Sequence, residues 1–215
     1  MKMRRVFLYA AMFFLTAFVL WTGAVCTTDM QAIGAGGTRV GLASFNAAMR
    51  DLTGTNTELY ILTDRLSLIP VGCMAYFALM GLVQWIARKS IRKVDRSILL
   101  LGGLYLLLAA AYLFFEMHII NYRPVLIEGR LEASYPSSTT VLVLCVMPTA
   151  LSQLRMRVQN RQIRMVCTAV CAAFTVFMVI GRLLSGVHWC SDIIGGVFLS
   201  VGLTALYFFL IRSAK

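Results

Sequence analysis

Six apolar runs, each long enough to cross a lipid bilayer, constrain the fold of this chain more than any other feature. A span needs about 20 apolar residues to cover a hydrocarbon core of about 30 Å. Hydrophobic residues make up 60% of the 215 residues and charged residues only 13%, a composition that a soluble domain of this length cannot bury. We therefore predict an all-α integral membrane protein, a six-helix bundle with spans at residues 6–25, 66–86, 98–115, 139–154, 165–184 and 193–211.

The first run has an alternative interpretation as a cleaved signal peptide, because Lys2, Arg4 and Arg5 precede it. Its apolar stretch is longer than a typical signal core, and no small-x-small cleavage site follows it. We therefore expect a retained helix and a single membrane-embedded domain over residues 1–215.

The net charge of +11 is distributed as the positive-inside rule requires. If the N-terminus is cytoplasmic, the inner segments contain Asp95 as their single acid and most of the 20 basic residues, namely Lys2, Arg4, Arg5, Arg88, Lys89, Arg92, Lys93, Arg96, Arg155, Arg157, Arg161, Arg164, Arg212 and Lys215. This asymmetry predicts cytoplasmic N- and C-termini and explains the basic charge by anionic lipid headgroups, without a nucleic-acid partner.

The loop of residues 26–65 and the cysteines carry weaker signals. Residues 40–50 have apolar side chains at helical spacing, which predicts a helix at the membrane interface that serves as a lid or packing element without chemistry. Four of the six cysteines fall within predicted spans, so neither a metal site nor a disulfide framework is expected. A disulfide between Cys26 and Cys190 stays open.

The stretch from Gly181 to Asp192 places an arginine, a histidine and an aspartate beside an apolar run, where each polar group is costly unless it is used. On a helix, His188 and Asp192 lie on one face, so the carboxylate can accept a proton from one imidazole nitrogen and leave the other free to react. Arg182 can hold phosphate oxygens with its planar guanidinium. A simple capping or solvation pair is the alternative.

Two further segments add groups of the same kind. Arg123 precedes Pro124, which holds it in an extended conformation at the exit of the third span. Ser137 and Ser138 precede the fourth span, where free backbone N–H groups and the helix dipole attract an anion. Taken singly, the arginine is an ordinary loop residue and the serines an ordinary helix cap. With Arg182 and His188, they predict a phosphate site.

Together these segments resemble the type 2 phosphatidic acid phosphatase (PAP2) superfamily of membrane lipid phosphatases. The family pattern is Lys-x6-Arg-Pro, then Pro-Ser-Gly-His, then Ser-Arg-x5-His-x3-Asp. This chain has Glu116-x6-Arg123-Pro124, then Pro136-Ser137-Ser138-Thr139, then Gly181-Arg182-x5-His188-x3-Asp192. The order, the inner spacing and the placement of the motifs before the fourth and sixth spans agree with the family, and so does the six-helix layout.

The resemblance implies a covalent mechanism. His188 would attack phosphorus and become a phosphohistidine, and Asp192 would orient it. Arg123, Arg182 and the serines at 137 and 138 would hold the equatorial oxygens of the transition state. No metal or other cofactor is expected, because the arginines supply the positive charge.

Four motif positions depart from the family pattern. Glu116 replaces a lysine and adds a negative charge unless it faces away or fixes an arginine. Ser138 and Gly181 replace a glycine and a serine, both mild changes. Thr139 replaces the histidine that protonates the leaving oxygen, which a threonine hydroxyl cannot do near neutral pH. His118, the second of the two histidines, is a candidate substitute acid, with an ordinary interfacial histidine as the alternative.

Two functions follow as hypotheses. The first is a phosphatase that hydrolyses a lipid phosphate or an isoprenyl pyrophosphate at the outer face of a bacterial cytoplasmic membrane. The second is a catalytically impaired relative that binds phospholipid or helps to translocate it. His188 and Asp192 favour the enzyme and Thr139 favours the binder. The expected partners are the lipid substrate and the bilayer, and the oligomeric state is left open.

Overall fold

The fold is all-helical in a computed structural model that describes residues 2–213. Its α-helices are α1 (Lys2–Thr27), α2 (Ala43–Thr53), α3 (Thr57–Leu66), α4 (Leu68–Arg88), α5 (Arg96–Met117), α6 (Ser138–Arg157), α7 (Arg161–Leu184) and α8 (Cys190–Arg212), with short 3₁₀ turns at Ala35–Gly37 and Ile91–Lys93. Met1, Ala214 and Lys215, which the predicted domain includes, lie outside the described residues.

The predicted six spans are confirmed. Six helical segments are long and apolar enough to cross a membrane, and each overlaps one predicted run. The second extends furthest beyond its prediction, since it is helical over Thr57–Arg88. There α3 and α4 meet at Ser67, which keeps helical dihedral angles (φ −64°, ψ −16°). The sequence analysis missed α3 because its polar residues interrupt the apolar run.

Helices α6 and α8 form the centre of the bundle. α8 packs against α1 and α6, and α6 also contacts α7. The main core cluster joins side chains of α4, α5, α6 and α8, including Leu101, Leu104, Val146, Leu203 and Tyr207. By contrast, only a small share of the apolar length of α1, α4 and α7 is buried inside the bundle, as expected for helices that face lipid.

The loop between the first and second spans is more ordered than its sequence predicts. The expected interfacial helix is present as α2, displaced a few residues toward the C-terminus of residues 40–50. α3 follows and packs against α7. All six cysteines are free thiols, so Cys26 and Cys190 are not joined.

Helix order divides the connections between two ends of the bundle. The segment between α1 and α4, which contains α2 and α3, lies at one end with the α5–α6 and α7–α8 connections. The α4–α5 and α6–α7 connections lie at the other end. At this second end Asp95 forms ion pairs with Arg88 at 2.9 Å and with Arg157 at 3.7 Å. All three predicted motifs therefore lie at the first end, opposite the cluster of basic residues.

Candidate active site

A cavity of about 1010 Å³ opens at the end of the bundle that carries the motifs. Much of its charged and polar lining comes from α3, the ends of α5 and α7, the start of α6 and the loops beside them, and includes Tyr60, Asp64, Glu116, Arg123, Glu132, Ser134, Ser138, Thr139, Arg182 and His188. The cavity continues deeper between α4, α5 and α6 along apolar side chains such as Val71, Met74, Leu108 and Leu142. It is therefore polar at the end of the bundle and apolar inside it.

His188 lies in the short connection between α7 and α8, and not on a helix as the sequence pattern suggested. Nδ1 of its imidazole lies 3.2 Å from the backbone carbonyl oxygen of Ser134. Because a carbonyl only accepts, this contact assigns the proton to Nδ1. Nε2 is buried without a hydrogen-bond partner in the described chain, although His188 lines the cavity. The nitrogen with the free electron pair is thus the one that remains available.

Asp192 does not bind His188 in the way the sequence predicted. Its Oδ2 lies 3.9 Å from Nδ1 of His188, too far for a hydrogen bond. Instead Oδ2 accepts from the hydroxyl of Ser134 and from the backbone N–H of Trp189 at 2.9 Å. Oδ1 accepts from Asn121 at 3.3 Å. Asp192 is fully buried. Through these bonds it holds Trp189, which follows His188 in the chain, and Ser134, whose carbonyl contacts the imidazole.

Arg123 is held by the hairpin-like segment between α5 and α6. Its backbone N–H donates to the carbonyl of Glu132 at 3.0 Å, and its Nε lies 3.1 Å from a carboxylate oxygen of the same residue. The side chain is largely buried, and Nη1 has no hydrogen-bond partner in residues 2–213. The guanidinium lies 5.8 Å from the ring centre of Tyr60.

Arg182, in the last turn of α7, is only 1% exposed. Its Nη1 lies 3.4 Å from the hydroxyl of Thr63 and 3.8 Å from a carboxylate oxygen of Asp64. The guanidinium also lies over the Tyr60 ring, at 5.0 Å, and its Nε lacks a partner within the described residues. Tyr60 is therefore a common platform for both arginines.

The start of α6 contributes Ser138 and Thr139 to the cavity lining. Ser137 is different: it is fully buried, its N–H donates to the Asp192 carbonyl at 3.1 Å, and its hydroxyl accepts from Thr140 at 3.0 Å. Ser137 thus joins α6 to α8 and does not line the cavity, so of the two serines only Ser138 is placed to contact a ligand there.

The remaining predicted positions separate into two groups. Glu116 lines the cavity with the arginines and does not face away. His118 is exposed, stacks on Phe114 at 4.5 Å and bonds to the Phe114 carbonyl at 3.0 Å, without lining the cavity. Gly181 is buried against α3.

Burial and positive charge act on His188 together. Burial is the main cause that lowers the pKa of its imidazole well below 6.5, and the positive charges of Arg123 and Arg182 lower it further. The hydrogen bond to the Ser134 carbonyl opposes this shift. The imidazole is therefore neutral near pH 7, the protonation state that a nucleophile requires.

No group of three or more His, Cys, Asp or Glu side chains in residues 2–213 is arranged to hold a metal ion. The cavity lining combines an unprotonated imidazole nitrogen with two guanidinium groups, a combination suited to a phosphorus centre.

Comparison with known proteins agrees with this arrangement. A family model for the PAP2 superfamily matches residues 121–214. This part of the chain, somewhat less than half of its length, is therefore similar to the PAP2 superfamily. The matched part includes Arg123, the start of α6, Arg182, His188 and Asp192. No curated protein matches the sequence.

The fold also resembles a solved PAP2 structure. The crystal structure of "the first transmembrane PAP2 type phosphatidylglycerolphosphate phosphatase from Bacillus subtilis" has a TM-score of 0.66 and 17% sequence identity, covering 96% of this chain and 98% of that chain. At this identity the similarity establishes the PAP2 fold.

The sequence motifs did not reveal every polar residue at the site. Tyr60, Thr63 and Asp64 lie in the loop of residues 26–65, where the sequence signals were weak, yet they contact Arg182. Ser134 also went unrecognised, although it contacts both His188 and Asp192. The one available signal was the polar face of residues 57–66, directly before an apolar run.

Adding a side chain at Gly181 tests the contact between α3 and α7. A Cβ atom at this position would lie 2.8 Å from the methyl carbon of Thr63. We expect Gly181→Ser to destabilise the protein by about 1–3 kcal/mol through overpacking, measured by thermal unfolding in detergent. Adding Thr63→Ser removes the methyl group and should restore most of the loss. Gly103→Ser, at a position with open space, is the control, and equal losses at both glycines would contradict the contact.

The protonation of His188 provides a second test. Because burial and the arginines disfavour the imidazolium form, the neutral form should persist as the pH falls below 6.5. NMR of protein with ¹⁵N-labelled histidine, with His188 assigned from its absence in His188→Gln, should give a midpoint well below that value. Arg123→Gln should raise the midpoint. A wild-type midpoint at or above 6.5 would contradict the described environment.

Proposed function

We propose that this protein is a membrane lipid phosphatase that hydrolyses a lipid phosphate or an isoprenyl pyrophosphate through a phosphohistidine on His188. The observation that carries the proposal is the buried Nε2 of His188, which has no hydrogen-bond partner in the described chain and belongs to a residue that lines the same cavity as Arg123 and Arg182. The printed name of the Bacillus subtilis structural relative, a phosphatidylglycerolphosphate phosphatase, supports the same reaction class.

In the proposed first step, Nε2 of His188 attacks phosphorus. A P–N bond forms, the bond to the leaving oxygen breaks, and the equatorial oxygens accept hydrogen bonds from Arg123 and Arg182. The proton stays on Nδ1, which donates a hydrogen bond to the Ser134 carbonyl, so that the ring keeps its orientation. Water then attacks the phosphohistidine: a P–O bond forms, the P–N bond breaks, and its electron pair returns to Nε2. The proton lost by this water balances the proton that the leaving oxygen takes from solvent in the first step.

The apolar depth of the cavity supports a lipid substrate. Below the arginines, side chains of α4, α5 and α6 line a continuous space at the depth of the transmembrane segments. A lipid chain placed there keeps its contacts with apolar groups while its phosphate reaches His188.

We assign the cavity to the outer face of a bacterial cytoplasmic membrane. The support is the positive charge at the opposite end of the bundle, which the positive-inside rule assigns to the cytoplasm. A membrane-impermeant thiol reagent should label Glu128→Cys, placed in the loop between α5 and α6, in intact cells that express a Cys26→Ser background. Labelling only after permeabilisation would contradict this orientation.

Trapping of the covalent intermediate tests the proposed function. Protein incubated briefly with ³²P-labelled lipid phosphate or isoprenyl pyrophosphate, and then denatured at alkaline pH, should retain acid-labile label. His188→Ala should retain none and should lose phosphate release by at least about 10³-fold, since it removes the nucleophile. Asp192→Asn should lower both signals. Label that persists in His188→Ala, or release unchanged by it, would exclude the proposed mechanism.

Without a general acid at Thr139, the rate of the proposed enzyme should depend on how basic the leaving group is. A positioned general acid contributes about 10²–10⁴-fold in rate, and Thr139 cannot supply its proton. An alkoxide that leaves a phosphate monoester needs that proton, whereas phosphate leaving a pyrophosphate is a much weaker base. We therefore expect faster phosphate release from an isoprenyl pyrophosphate than from phosphatidic acid, compared as kcat/KM with purified protein in one detergent. The opposite ranking would overturn the preference.

A pseudoenzyme that binds or translocates phospholipid is the second candidate. It is favoured by Thr139, which lines the cavity in place of an acid, and by the position of His118, which stacks on Phe114 away from that cavity and so lends no support to a substitute acid. In this case, labelled lipid would bind at Arg123 and Arg182 without any covalent label on His188.

A further inference from the structure

A buried hydrogen-bond network that begins in α2 ends on the carboxylate of Asp192. Its side chains are Asn46, Asn121, Ser191 and Asp192, and none of them is more than 1% exposed. Asn46 belongs to α2, Asn121 to the segment between α5 and α6, and the other two to the first turn of α8. Polar groups buried this deeply are costly unless they are satisfied, and a satisfied network fixes one arrangement of the groups that it joins.

The amide of Asn46 is fully used and has one orientation. Its Oδ1 accepts from the backbone N–H of Ser191 at 3.0 Å. Because a backbone N–H only donates, this contact determines which amide atom is the oxygen. Nδ2 then donates to the carbonyl of Gly41 and to the hydroxyl of Ser191, each at 2.9 Å. Asn46 is therefore the donor at the start of two branches.

Both branches lead to Oδ1 of Asp192. In the short branch, the hydroxyl of Ser191 accepts from Asn46 and donates to Oδ1 at 3.5 Å. In the long branch, the N–H of Gly41 donates to the side-chain oxygen of Asn121 at 3.4 Å. Nδ2 of Asn121 then donates to Asp192 at 3.3 Å. Each of these bonds is directed toward the carboxylate, so one oxygen of Asp192 is held from two separate segments of the chain.

Holding Oδ1 determines where the other oxygen of Asp192 points. Oδ2 accepts from the hydroxyl of Ser134 and from the backbone N–H of Trp189. The carbonyl of Ser134 in turn contacts Nδ1 of His188. Without the two branches, the carboxylate would be free to turn toward Nδ1, which lies 3.9 Å from Oδ2, and to take the place of the carbonyl.

We propose that Asn46 is a positioning residue for His188. Through the two branches it fixes the carboxylate of Asp192, and thereby the imidazole that attacks phosphorus. This role presupposes the phosphatase function proposed above, and it assigns a part in that function to a residue outside the cavity lining. Helix α2 then supports the reaction, and is more than a lid or packing element.

Titration of His188 in the near-isosteric variant Asn46→Leu tests this role without turnover. Leucine keeps the approximate shape of asparagine but has no donor, so both branches lose their first bonds. We expect the released carboxylate to bond directly to Nδ1, and a negative partner in direct contact stabilises the imidazolium form. The midpoint of His188, measured by ¹⁵N NMR, should therefore rise by about 1 pH unit.

Turnover gives a second readout that separates positioning from binding. Arg123 and Arg182 are unchanged in Asn46→Leu, so KM for farnesyl pyrophosphate should stay the same. We expect kcat to fall by about 10²-fold, because the imidazole is displaced from its productive geometry. A purely structural role would lower the unfolding temperature and leave both kcat and the His188 midpoint unchanged.

The matched control is Asn160→Leu, the same substitution at another asparagine that caps a helix. Oδ1 of Asn160 accepts from the first N–H groups of α7, at 2.8 Å and 3.2 Å, at the opposite end of the bundle. It should leave the midpoint and kcat unchanged. The charged groups around His188 are the same in both variants, namely Asp64, Glu116, Arg123, Glu132 and Arg182 of the cavity, Arg50 of α2 and Asp192 of α8.

A midpoint that is unchanged or lowered in folded Asn46→Leu, or a kcat equal to that of the wild type, would overturn the positioning role. If Asn46→Leu does not fold, Ser191→Ala decides, because it removes only the hydroxyl of the short branch. It should raise the midpoint by a smaller amount, and no rise would overturn the role. The titration needs no substrate, so the proposed phosphatase function fails separately, through absence of phosphate release by the wild-type protein.

Discussion

The hydrogen bond between Nδ1 of His188 and the backbone carbonyl of Ser134 determines what this cavity can do. A carbonyl has no proton to give, so the contact assigns the imidazole proton to Nδ1 and leaves the electron pair on Nε2. Burial and two nearby guanidinium groups then keep the ring neutral. Without the carbonyl, the ring would be free to present a protonated nitrogen to the cavity.

The surrounding polar residues maintain that one contact. Asp192 accepts hydrogen bonds from Ser134, Trp189 and Asn121, and so it ties the segment before α6 to the connection before α8. The backbone conformation at Gly186 also fixes the connection before α8. Its φ is +66°, and an added Cβ atom would clash with the backbone of Gly54. Asp192 therefore positions the histidine through Ser134 and not through a direct hydrogen bond.

Much of the architecture followed from the sequence because lipid imposes a simple requirement. Each apolar run of about 20 residues had to be a helix, and the confirmed spans differ from the predicted runs chiefly by polar turns at their ends. The order of the helices then placed Arg123, Arg182 and His188 at one end of the bundle, as the motifs had indicated.

The finer organisation of the site depends on contacts between residues far apart in the chain, which periodicity does not encode. α3 reads as a polar loop, yet its Tyr60 lies beneath both arginines. From the sequence, glycine in place of the motif serine at position 181 was a mild change. In the structure, the close approach of Thr63 leaves no space there for a side chain. Helical spacing also suggested a direct bond between His188 and Asp192, whereas α8 begins only at Cys190 and Ser134 intervenes.

The most direct test is to identify which nitrogen of His188 carries phosphorus. Protein with ¹⁵N-labelled imidazole, trapped during turnover of a lipid phosphate or pyrophosphate, can be analysed by ³¹P–¹⁵N correlation NMR. A phosphorus bonded to Nε2 of His188, with the proton retained on Nδ1, is the predicted result. Phosphorus on Nδ1, or on any residue other than His188, would contradict the described orientation of the ring and the mechanism derived from it.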